Sequence, residues 1–204
     1  MGLFRNLLAL VGVAALGFGV WTYRDKIPWR WNKSAAAPAE VSEAAAQSAE
    51  QKLERMRTSG DTVHLTGTEF TSYLRYRFHD QLASQLDQPT VAFSGDTLML
   101  QGRLPTERLP DTRELRAVRE FLPDTAEVRL RGNLRTLSPG RAALRIGSVS
   151  FAKVPVPHDV YPDALKRLGR ADEPGLGADE YPFRLPPGVS SARVEGGELV
   201  LAPR

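Results

Sequence analysis

Residues 128–151 read VRLRGNLRTLSPGRAALRIGSVSF. Val128, Leu130, Gly132 and Leu134 fall on every second position, with Arg129, Arg131, Asn133 and Arg135 between them. A period of two puts one set on each face of a strand, apolar inward and charged outward. Ser138-Pro139-Gly140 supplies a reversal, after which Leu144 and Ile146 oppose Arg145. Val149 and Phe151 then hold the other phase, so a bulge is expected near Gly147-Ser148. The stretch therefore predicts two long antiparallel strands, Glu127–Leu137 and Arg141–Lys153.

The same period extends in both directions. Upstream, Val91 and Phe93 alternate with Ala92 and Ser94, and Ser94-Gly95-Asp96 forms a hairpin turn. Leu98, Leu100, Gly102 and Leu104 then share one face of the next strand. Asp61–Leu65 predicts a short strand, and Val189–Glu195 with Glu198–Leu201 flank Gly196-Gly197 as a closing hairpin. Pro105, Pro110 and Pro123 bracket a polar connection holding a short helix over Asp111–Leu122. Another helix is expected near Val160–Leu168, after Val154-Pro155-Val156-Pro157, and Arg170–Tyr181 reads as a polar, glycine-containing loop.

One long helix stands out. Thr66-Gly-Thr-Glu69 has capping-box spacing, and Phe70, Tyr73, Leu74, Phe78, Leu82 and Leu86 follow as one apolar stripe up to Pro89. The expected fold is α+β. A single N-terminal transmembrane helix precedes a curved antiparallel sheet of about six or seven strands, packed by this long amphipathic helix.

The N-terminal segment carries the strongest signal of location. Leu3–Tyr23 reads LFRNLLALVGVAALGFGVWTY, and Leu7–Trp21 holds no charge. As a helix it is long enough to cross a hydrocarbon core of about 30 Å. Trp21-Thr-Tyr-Arg24 is a poor processing site, which favours an uncleaved anchor over a signal peptide. Trp21, Tyr23, Trp29 and Trp31 interleave with Arg24, Lys26, Arg30 and Lys33, the composition of a membrane-interface collar. The organisation is thus an anchor over 1–33, an Ala-rich linker or stem helix over 34–60, and a globular domain over 61–204. In the stem, Ser42-Glu43 opens a helix and Gly60 stops it, with too few apolar residues for a sustained partner seam.

Charge and composition exclude several functions. Residues 1–33 carry a net charge of +4, residues 34–60 carry −1, and residues 61–204 are neutral overall. The high pI therefore belongs to the N-terminal segment 1–33, and no aromatics interleave with the arginines of the domain, so no nucleic-acid partner is expected. With no cysteine there is no disulfide, thiolate metal site or cysteine nucleophile. His64, His79 and His158 each stand apart from metal-ligand spacing. Asp172-Glu173 and Asp179-Glu180 lack the spacing of a Ca²⁺ loop. Gly147-Ser148-Val149-Ser150 lacks the second glycine of a nucleophile elbow. No enzyme, metal or cofactor is expected.

Two features remain as candidate sites. The first is an apolar groove between helix and sheet, formed by Phe70, Leu74, Phe78, Leu82, Phe93, Leu98, Leu100, Leu130, Leu134, Leu144 and Ile146. The same residues also suit a closed core. The second is the outward arginine set, Arg129, Arg131, Arg135, Arg141 and Arg145. Bidentate guanidinium contacts could hold anionic headgroups there, or the set is a solvated face balanced by acids from elsewhere.

The order of motifs resembles the YpmS-like small membrane-anchored proteins of the bacterial envelope. An N-terminal span precedes Val63, Leu65, Thr66, Glu69 and Phe70. A strand with Gly140, Ala142, Leu144 and Ile146 runs into Val154-Pro155-Val156-Pro157, and Leu185-Pro186-Pro187-Gly188-Val189 leads to a hairpin with Gly197, Leu199, Val200 and Leu201. The likeness covers about residues 61–203. It implies an extracytoplasmic domain related to tubular lipid-binding folds, with membrane lipids as partners. The four Lys/Arg that follow the span pull the other way, since positive charge favours the cytoplasmic side. The leading expectation is a non-enzymatic inner-membrane protein whose periplasmic domain binds lipid or another apolar ligand. The alternative is a structural accessory subunit of a membrane complex, for which Gly12, Gly17 and Gly19 permit close helix approach.

Overall fold

A computed structural model describes residues 40–79, 86–105, 124–151, 154–156, 158–167, 169–170 and 173–204. The expected span and collar (Trp21, Tyr23, Trp29 and Trp31 included), Leu82, and the helix over Asp111–Leu122 lie outside these residues. No helix among the described residues is long and apolar enough to cross a membrane.

The described chain folds as two antiparallel sheets with short helices. Its strands are β1 (Val63–Leu65), β2 (Asp87–Ser94), β3 (Thr97–Pro105), β4 (Thr125–Ser138) and β5 (Arg141–Phe151). They continue with β6 (Val154–Pro155), β7 (Glu180–Arg184), β8 (Val189–Glu195) and β9 (Glu198–Pro203). One sheet has the order β1-β9-β8. The other runs β2-β3-β4-β5-β6, with β7 also paired to β5. The inner faces share one core. Val63, Leu65, Leu199 and Leu201 of the small sheet meet Leu98, Leu100, Leu130, Leu144 and Ile146 of the large one.

The register follows the period of two. Leu100 faces Leu130 and Leu130 faces Val149, so inward residues stack across three strands. Arg131 pairs with Ser148 while Gly132 pairs with Ile146, so Gly147 is the extra residue of a bulge. That extra residue moves the apolar phase from even to odd numbers and keeps Val149 in the core. Tyr161 holds the bulge in place. Its buried hydroxyl accepts the Val149 N–H at 2.9 Å and donates to the Val156 carbonyl at 3.2 Å.

The helices correct the expectation of one sheet under one long helix. α1 (Glu43–Ser59) is capped by Ser42, whose side chain accepts from the Ala45 N–H. It ends at Gly60, where φ is 75° and the N–H returns to Met56 O. It is packed: Ala46, Ala49 and Met56 are buried, and its Ser48 and Lys52 bond Glu69 of the next helix. Small residues make this contact, and they leave no apolar stripe in the sequence.

α2 (Gly67–Arg77) opens with the expected capping box, Thr66 with Glu69. It has only 11 residues, however, and ends at Phe78, well short of Leu86. Leu86 enters the core from just before β2 and lies over Gly102, where a Cβ would come within 2.5 Å of its side chain. The spacing of four shared by Leu74, Phe78, Leu82 and Leu86 is close to one helical turn, but it carries no signal of the break at Phe78. Pro89 sits inside β2, in the irregular step between Asp87 and Thr90, as an edge strand tolerates. The last helix, α3 (Tyr161–Arg167), follows one turn of 3₁₀ helix over His158–Val160.

Candidate functional site

A cavity of about 80 Å³ lies between the sheets. Its walls are Phe70 of α2, Val91, Leu98, Leu100 and Leu134 of the large sheet, Phe183, Leu185 and Pro186 from β7 and its exit, and Ala192, Leu199 and Leu201 of the small sheet. Every lining residue is apolar. The site arises because inward alternation of β2, β3 and β4 meets inward alternation of β8 and β9, while Ala192 contributes only a methyl group where its neighbours are larger.

The expected groove residues divide between this cavity and closed core. Phe70, Leu98, Leu100 and Leu134 line it. Leu74, Leu130, Leu144 and Ile146 are fully buried in the core, and Phe78 and Phe93 pack against that core while partly buried. Sequence reasoning missed the β7 wall, because Pro182 interrupts EYPFR and the preceding residues read as loop. It also missed the wall from β8 and β9. Their alternation was visible in Ala192, Val194, Leu199 and Leu201, but nothing local tells that they form a second sheet facing the first.

The arginines lie on the outer face of the large sheet. Arg103 of β3, Arg129, Arg131 and Arg135 of β4, Arg141 and Arg145 of β5, and Arg184 of β7 share it by register. Several are engaged by acids. Arg129 pairs with Glu127 on its own strand. Arg141 donates from Nη2 to both carboxylate oxygens of Glu173 at 2.7 Å. Arg135 takes Glu180 through Nε at 3.2 Å and Nη2 at 2.6 Å, and Arg145 Nε stands 3.3 Å from the same carboxylate. Among the described residues, Arg103, Arg131 and Arg184 have no acid partner.

Glu180 was legible only as half of an acidic pair in a loop, yet its side chain is 1% exposed. Burial alone pushes its carboxyl up. The hydrogen bonds from Arg135 and from the Gly177 N–H, with the charges of Arg135 and Arg145, outweigh burial and hold it below the usual carboxylate range. Arg135 Nη2 also donates to the Gly175 carbonyl at 3.1 Å, and Arg170 donates to that of Gly177. The glycine-rich chain before β7 is thereby clipped onto the arginine face. A clue lay in the sequence: no acid stands among the arginines from Val128 to Lys153, so their counter-charges had to arrive from elsewhere.

The other buried titratable groups also have structural partners. Glu69 meets Lys52, Ser48 and Thr66, and Tyr161 holds the β5 bulge. His158 hydrogen-bonds the Gly147 carbonyl at 2.7 Å, and exposed His64 pairs with Glu198. No group of three or more metal-ligating side chains occurs among the described residues. Compared with family models, with curated proteins and with solved structures, the chain matches none.

Proposed function

We propose that this chain is a non-enzymatic, membrane-attached envelope protein whose folded part takes a small apolar group into the cavity between its sheets. The observation that carries the reading is a cavity walled entirely by apolar side chains drawn from both sheets and α2. Such an apolar pocket gains from any apolar atoms that fill it. Its size limits the occupant. An engineered cavity of about 150 Å³ accepts benzene, so about 80 Å³ accepts a few carbon atoms, such as the end of an acyl chain, and not a whole lipid. Membrane attachment rests on the apolar run Leu3–Tyr23 and its aromatic-basic flank. The likeness to YpmS-like proteins points the same way.

Native mass spectrometry of the full chain, extracted from its own membrane in mild detergent, tests the proposal. The expected species is a monomer carrying lipid mass. Ala192→Leu, which fills the cavity with the side chain itself, should lose that mass without losing thermal stability. A bare monomer sinks the reading. One observation favours a second reading, the structural accessory subunit: the cavity falls below the roughly 300–1,000 Å³ of ordinary ligand pockets. A stoichiometric protein assembly with no lipid adduct would decide for it.

A further inference from the structure

We infer that the outer face of the large sheet is a docking surface for an anionic bilayer, the one to which the chain is attached. This rests on the membrane attachment proposed above. Among the described residues, the face gathers seven arginines against four acids, Asp87, Glu127, Glu180 and the incoming Glu173, which leaves three positive charges in excess. The excess is local, since residues 61–204 as a whole are neutral. Arg131 stands near the middle of this face, with exposed Arg129 and Arg145 close by and the exposed bulge residues Gly147 and Ser148 alongside. The acid-free guanidinium groups of Arg103, Arg131 and Arg184 suit phosphate headgroups, because each guanidinium can take two oxygens of one phosphate.

The tether makes the encounter unavoidable. Nineteen residues separate Tyr23 from Glu43, a reach of at most roughly 65 Å. A link of that length holds the folded part near the bilayer at an effective concentration on the order of millimolar. Each basic group near an anionic surface adds about fivefold to binding, so the three in excess give roughly a hundredfold preference for anionic over neutral lipid. The rest of residues 61–204 carries the compensating three negative charges, so this face is the one an anionic membrane attracts.

The test uses the full chain in lipid nanodiscs. The protein has no cysteine, so single labels are clean. Ser148→Cys reports from the arginine face and His64→Cys from the outer face of the small sheet, both at exposed positions. Each carries a fluorophore quenched by headgroup-labelled lipid. With phosphatidylglycerol in the discs, quenching should be several-fold stronger at position 148 than at 64. The difference should vanish in pure phosphatidylcholine, at raised salt, and in Arg131→Glu, whose fold is checked by its melting curve. Equal quenching at the two positions in anionic discs, or a difference that survives Arg131→Glu, overturns the inference. So does salt-sensitive retention of an acidic protein on this face without quenching. A chain that elutes free of the discs overturns the membrane attachment itself.

Discussion

Thr71 lies on α2 with its side chain buried, facing the edge strand β2. Its hydroxyl accepts the Val91 N–H at 2.8 Å and donates to the Val91 carbonyl at 3.0 Å. One side chain thus replaces the strand that an open edge would otherwise recruit. Thr71→Val keeps the shape and strands both backbone groups, so urea unfolding should show a loss of about 3 kcal/mol. Glu69 makes a second residue-scale prediction. Burial pushes its carboxyl up, but hydrogen bonds from Lys52, the Thr66 N–H and Ser48, with the Lys52 charge, bring it down to about 2 from 4.5. A lowered folded-state value stabilises the protein above pH 4.5, and that stabilisation is lost as pH falls toward 2. The part-exposed Lys52 weakens the pairing, so the contribution is about 2 kcal/mol. Glu69→Gln should flatten the stability profile over that window without removing its slope, since Glu180 is also held low.

Helix ends and strand edges were unevenly legible in the sequence. The capping box at Thr66, the stop at Gly60, the hairpin turns and the bulge at Gly147 were all readable, because each follows from local backbone chemistry. The C-terminus of α2 was not. The spacing of four runs on past Phe78 with no signal of the break there, and Leu86 takes a core position across Gly102 that the stripe did not foretell. The packing of α1 was equally hidden, since alanines and a Lys–Glu contact mediate it. Gly67 shows how tightly α2 sits on β2. A Cβ there would stand 2.8 Å from the Val91 carbonyl oxygen and 3.2 Å from the Ala92 Cα, both backbone atoms that cannot swing away. Gly67→Ala should cost about 1–3 kcal/mol in thermal or urea unfolding, by lifting the helix from the edge it covers.

At the scale of the molecule, the inward alternation on β3, β4 and β5 was readable, but not its closure by a second sheet. Half the cavity wall comes from β7, β8 and β9, so the candidate site could not be drawn from the first sheet alone. On the opposite face, Arg135 links β4 to the chain entering β7 through Glu180 and Gly175. Arg135→Met should raise the titration of the buried Glu180 carboxyl. The acid-unfolding midpoint should then move to higher pH, because less of the stabilisation survives as pH falls. An unmoved midpoint would mean that Arg145 and the Gly177 N–H hold the carboxylate without it.

β1 pairs with β9, Val63 to Leu201 and Leu65 to Leu199, and β9 is also the only partner of β8 within that sheet. The middle strand is therefore the last to be made. Before residues 198–203 leave the ribosome, β1 and β8 have no sheet partner, and Leu199 and Leu201 are missing from the cover of the large sheet. Assembly of the small sheet therefore waits on residues 198–203.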